Sequence, residues 1–181
     1  MTTEDRLPAY ATSPRPKRVK RVRLALLVSS LAACLSVTLI GQILSGMVQM
    51  VFGLSGTRVL ESDYGFVNGA TMALMMAGWN FILFFITVPA CALALGLSVG
   101  RFPHRGITAR KPYLRWGAIW GAILVGGTTF LFGWVGGWAT AFGALFAGSL
   151  VGASAGVFCG YLMHKIINPA KQLSDMDINV F

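Results

Sequence analysis

Gly148-Ser149-Leu150-Val151-Gly152-Ala153-Ser154-Ala155-Gly156-Val157-Phe158-Cys159-Gly160 places a glycine at every fourth position. A four-residue step keeps Gly148, Gly152, Gly156 and Gly160 on one slowly drifting helix face, and Ala144 extends the row by one step. No side chain stands on that face, so another helix can approach backbone to backbone. In lipid, such packing largely replaces the hydrophobic force as the glue between helices.

The row lies inside an uncharged run from Trp116 to Met163, about twice the roughly 20 apolar residues that one crossing requires. Gly133-Trp134-Val135-Gly136-Gly137-Trp138 divides the run with turn-forming glycines and interfacial tryptophans. Upstream, Leu24 to Thr57 and Tyr64 to Gly100 are uncharged too, each longer than a single crossing. The pattern predicts helices near 24–53, 66–100, 113–134 and 138–166. The expected fold class is all-α: a four-transmembrane-helix bundle with both termini cytoplasmic.

Composition agrees with this reading. The 181 residues are 55% hydrophobic and 12% charged, with mean hydropathy +0.68, which is far from a soluble domain. Net charge is +9, and its placement matters more than its size. Arg15, Lys17, Arg18, Lys20, Arg21 and Arg23 precede the first span. Arg101, Arg105, Arg110, Lys111 and Arg115 fall between the second and third, and Lys165 and Lys171 follow the fourth. All three clusters fall on one side of a four-span topology, and the positive-inside rule makes that side cytoplasmic. A bacterial inner membrane is the simplest location. The basic, acid-poor segment 6–23 leaves the mitochondrial inner membrane as an alternative. Every basic cluster abuts an apolar span, so nucleic acid is not an expected partner; the tail cations Arg15 to Arg23 are candidates for anionic lipid headgroups.

Segment 1–23, with Pro8, Pro14 and Pro16, reads as a disordered basic tail. The membrane domain is 24–166, and 167–181 is a short cytoplasmic C-terminal tail that begins where Asn168-Pro169 stops the last helix. Leu31-Ala32-Ala33-Cys34 resembles a lipoprotein cleavage box, but the apolar run continues about twenty residues beyond it and reads as a span.

Candidate functional residues are few. Gly117 and Gly121 form a second small-residue pair, on the third span. Ala144, the glycine row and this pair together make the expected helix-packing interface, either internal or toward a partner. Gln42 and Gln49 share a face of the first span, and Asn80 lies inside the second with Thr87 seven residues on. Intramembrane amides should bond across helices or line a path. Thr128 and Thr129 can bond to their own backbone. Pro89 is a candidate kink or hinge.

Met47, Met50, Met72, Met75 and Met76 lie toward the outer ends of spans one and two. Cys34, Cys91 and Cys159 lie in the cytoplasmic half. Thioethers outside and thiols inside suit a soft metal such as copper(I), although both residue types are also ordinary buried hydrophobes.

No Asp, Glu, Lys or Arg lies within the uncharged run of a span, Arg115 and Lys165 standing at span ends, which argues against a proton-coupled carrier. His104 and His164 fall in a loop and at a boundary, so neither is a mid-bilayer haem ligand. No cofactor and no enzymatic signature is read. The expected function is a non-enzymatic membrane subunit that assembles with itself or with other membrane protein subunits through glycine-lined faces, with the last helix as the docking element. The alternative is a passive channel or small transporter.

Overall fold

The computed structural model describes residues 21–54, 65–102 and 107–168. The described residues are almost entirely helical and form no strand. Four helices are long and apolar enough to cross a membrane: α1 Val22–Leu54, α2 Gly65–Leu97, α3 Arg110–Gly136 and α4 Trp138–Ile167. The chain is a multi-pass membrane protein. The tail through Lys20 and most of the C-terminal tail lie outside the described residues.

The boundaries differ from the sequence expectation in ways the chain explains. α3 begins at Arg110, three residues early, because Pro112 falls in its first turn, where a missing N–H breaks no helical bond. α2 stops at Leu97, and a separate 3-10 turn, Val99–Arg101, follows it. At the other end of α3 a 3-10 turn, Trp134–Gly136, adds to the helix, and Gly137 then reverses the chain at φ 93°, a conformation natural only to glycine. Trp134 and Trp138 pack across this reversal with ring centroids 4.1 Å apart. α4 ends where Asn168 adopts the left-handed conformation and its N–H bonds to the His164 carbonyl at 3.0 Å.

Pro89 does not end the helix. The helix is continuous through that residue, from Phe84 to Leu97. The interruption in α2 is instead a 3-10 segment at Asn80–Leu83. A π-helical segment, Ala122–Gly126, widens α3 just after Gly121.

α4 is the central element. Half of its most apolar window is buried, against 11% for α2. It packs on all three other helices. Two core clusters stack along the bundle. One joins Val37, Ala73, Leu74, Ala144 and Val151. The other joins Ala25, Val99, Phe102, Tyr113, Met163 and Ile167. The second cluster draws together the start of α1, the end of α2, the start of α3 and the end of α4. Arg21, Arg23, Arg101, Arg110, Lys111, Arg115 and Lys165 therefore all lie at one end of the bundle, referred to below as the basic end.

Candidate functional site

The glycine row is occupied within the chain. An added Cβ on Gly152 would meet the carbonyl oxygen of Gly121, and one on Gly156 the carbonyl oxygen of Gly117. Gly160 meets Tyr113 in the same way, and Gly148 lies on the hydroxyl of Thr129. Ala144 faces Gly133. α3 and α4 thus run antiparallel in backbone contact along nearly their full length.

Thr129 joins this seam by a bond the sequence reading missed. Its hydroxyl donates to its own helix at Val125, as expected, but also lies 2.8 Å from the Ala144 carbonyl. The signal was available in the spacing. Thr129 is eight residues beyond Gly121 and Ala144 eight before Gly152, so an antiparallel seam that pairs the glycines pairs these two as well. Thr128 bonds only within α3.

A second set of close contacts carries α4 onto α2. An added Cβ on Gly143 would meet the Phe66 carbonyl, and one on Gly69 the Thr140 carbonyl. The Cys159 thiol donates to the Ser29 carbonyl on α1 at 3.1 Å.

The intramembrane amides hold helices or their own turn. Gln42 Nε2 donates to the Gly78 carbonyl on α2 at 3.1 Å. Gln49 Nε2 reaches Ser45 Oγ, one turn back, at 3.2 Å. Asn80 Nδ2 donates to Cys34 Sγ at 3.4 Å, and Thr87 Oγ1 lies 3.5 Å from the same sulfur.

A partly open cavity of about 260 Å³ lies between α2 and α3, over α1 and α4. Its walls are mainly apolar. Cys34, Asn80, Thr87, Cys91, Thr129 and Cys159 are among the residues that supply its polar and sulfur atoms. All three cysteines therefore reach one cavity, and the Cys91 and Cys159 thiols are direct neighbours across α2 and α4. Trp120 also lines the cavity, and its indole N–H has no hydrogen-bond partner among the described residues.

Soft-ligand residues are not gathered into a centre. Among the described residues no group of three His, Cys, Asp or Glu side chains is placed to hold a metal. Met47 and Met50 point away from the bundle, 59% and 69% exposed. Met72 and Met75 are half-buried on α2, and only Met76 reaches the cavity.

The far half of α1 carries a face that no described residue covers at Gly46 or Gly53. Gln42, Gly46, Gln49 and Gly53 follow one another at steps of four, three and four, and all four are exposed. Added Cβ atoms at Gly46 and Gly53 meet no described atom within 4 Å. If the hydrocarbon core begins at Leu24, about 20 residues carry it to Leu44. Gln42 then lies inside the apolar layer and Gln49 in the headgroup layer beyond. At the basic end, Arg21 and Arg23 are the only members of the expected headgroup-binding tail within the described residues.

Compared with known proteins, the chain matches no family model, no curated protein and no solved structure.

Proposed function

We propose that the protein is a non-enzymatic membrane subunit that assembles through the exposed face of α1. The observation that carries this is the exposed stripe Gln42–Gly46–Gln49–Gly53, in which Gln42 also bonds to Gly78 while Gly46 and Gly53 meet no described atom. The docking element moves accordingly from α4 to α1, because the α4 glycines are already packed on α3.

A second copy of this chain is the partner the chemistry favours. An amide is both donor and acceptor, so it is its own complement. Two copies inserted in the same sense bring Gln42 to the same depth as Gln42, and Gly46 to Gly46. A two-fold axis along the membrane normal then closes the interface. Close approach at Gly46 lets the remaining N–H and the carbonyl of the Gln42 amide, whose Nε2 already donates to Gly78, bond between copies as well. The positive-inside rule sets the basic end on the cytoplasmic face, with both termini there. An inner membrane is the simplest location.

Support for a passive path is weaker. Gln42 and Asn80, which would line it, are engaged in bonds between helices. The test is co-expression of two differently tagged copies, solubilised in mild detergent and captured through one tag. Stoichiometric recovery of the other tag supports self-assembly. Recovery of an unrelated subunit in its place, lost in Gly46→Leu, supports a larger complex. A solitary monomer contradicts the reading.

A further inference from the structure

At the basic end, α3 and α4 each bring a cation to the same aromatic ring. The Arg110 guanidinium carbon lies 4.5 Å from the centroid of the Tyr161 ring, and Lys165 Nζ lies 6.0 Å from it. Lys111 is next to Arg110 in the chain, and Arg115 is one turn further along α3. Among the described residues there is no Asp or Glu at all, so no carboxylate there offsets this cluster. Like charges held together without a counter-ion are unfavourable, and more so beside an apolar layer than in open water.

The first turn of α3 adds to the same field. Its N-cap is Ala109, with no side-chain cap and no acidic residue in the turn. The leading N–H groups therefore have no side-chain acceptor. The position is also held firmly. His164 Nε2 lies 3.1 Å from the Thr108 carbonyl, and its ring packs on Tyr113 at 5.1 Å. This ties the strand of chain entering α3 to the last turns of α4.

We infer that this α3–α4 junction binds the phosphate of an anionic phospholipid, between Arg110 and Lys165. A guanidinium over the Tyr161 ring can lie with its face on the ring and turn its edge N–H donors outward, the arrangement that grips phosphate in two places. Lys165 supplies a point charge from the second helix. Trp116, Val157 and Phe158 are exposed apolar side chains further along the same two helices, where acyl chains would run. A lipid fits this combination, with charge at the end of a span and apolar surface directly beyond it. The site is separate from the α1 stripe and does not depend on assembly.

The test uses the purified full chain in detergent, titrated with phosphatidylglycerol or phosphatidylcholine and followed by native mass spectrometry and thermal melting. Phosphatidylglycerol should bind and raise the melting temperature, while phosphatidylcholine should do neither. R110Q/K165Q should weaken phosphatidylglycerol binding by roughly 25-fold, taking each lost cation at about five-fold. R21Q/R23Q, which removes the same charge elsewhere on the basic end, should keep most of the binding. Tyr161→Leu keeps both charges and should fall between the two.

Equal effects of both lipids would overturn the inference, as would equal losses in the two double variants. A shift reproduced by inorganic phosphate would overturn the lipid as ligand. Asp175 and Asp177 lie in the C-terminal tail outside the described residues. If D175N/D177N changes the melting temperature while phosphatidylglycerol does not, the tail rather than a lipid supplies the anion.

Discussion

The carbonyl oxygen of Gly117 lies where a β-carbon on Gly156 would have to be, and the carbonyl oxygen of Gly156 lies where one on Gly117 would have to be. Gly121 and Gly152 repeat this reciprocity one turn away. Each glycine is thus required by the other's backbone, and neither helix can yield without breaking the seam.

Gly156→Ala should therefore destabilise the fold by about 1–3 kcal/mol, the usual cost of forcing extra volume into a packed interior. Gly152→Leu or Gly156→Leu should prevent the hairpin from closing. Thermal melting in detergent measures both, with Gly127→Ala as the control. An added Cβ on Gly127 meets no described atom within 4 Å, so its variant should melt like wild type.

Thr129→Val removes the hydroxyl that reaches the Ala144 carbonyl. Bonds of this kind between membrane helices average about 0.6 kcal/mol and reach about 1.7. A modest fall in melting temperature is expected, well below that of Gly156→Ala. A fall as large as the glycine variant's would mean that Thr129, and not close packing, holds the seam.

These two predictions mark how far the sequence could be read. Four spans were legible from charge and apolar length, because a bilayer imposes both. Antiparallel packing of the last two helices was legible from the short turn at Gly133–Trp138. Whether Gly148–Gly160 faced inward was not, since a bare helix face is chemically identical toward a neighbour in the same chain or in another. Pro89 reads as a candidate kink or hinge, and the helix runs on through it, as membrane helices commonly absorb proline; the 3-10 segment at Asn80–Leu83 carries no comparable mark in the sequence. The meeting of Cys34, Cys91 and Cys159 at one cavity depends on how α1, α2 and α4 rotate about their axes. No single helix carries that information.

Thiol chemistry checks that meeting. Cys34 and Cys159 are 5% and 1% exposed, which keeps a bulky reagent from their sulfurs. In intact membranes, maleimide should leave both unlabelled and reach Cys91, the half-buried thiol, first. Detergent unfolding should expose all three. Labelling of Cys159 ahead of Cys91 would show that α4 is turned differently.

Gln42→Leu separates two roles of one side chain. It deletes the bond to Gly78 and should cost about 0.6 kcal/mol of fold stability. Under the self-assembly reading it should also weaken association between copies, as measured by co-capture of two tags. Loss of stability with unchanged association would restrict Gln42 to clamping α1 on α2.

The most direct measurement is oxidative cross-linking in native membranes of Gly46→Cys, compared with Ser154→Cys on the exposed side of α4 and with the wild type, whose own three cysteines serve as the blank. Assembly through α1 predicts a disulfide-linked dimer for Gly46→Cys and none for Ser154→Cys or wild type. Cross-linking at Ser154 with none at Gly46 would contradict it and return the docking face to α4.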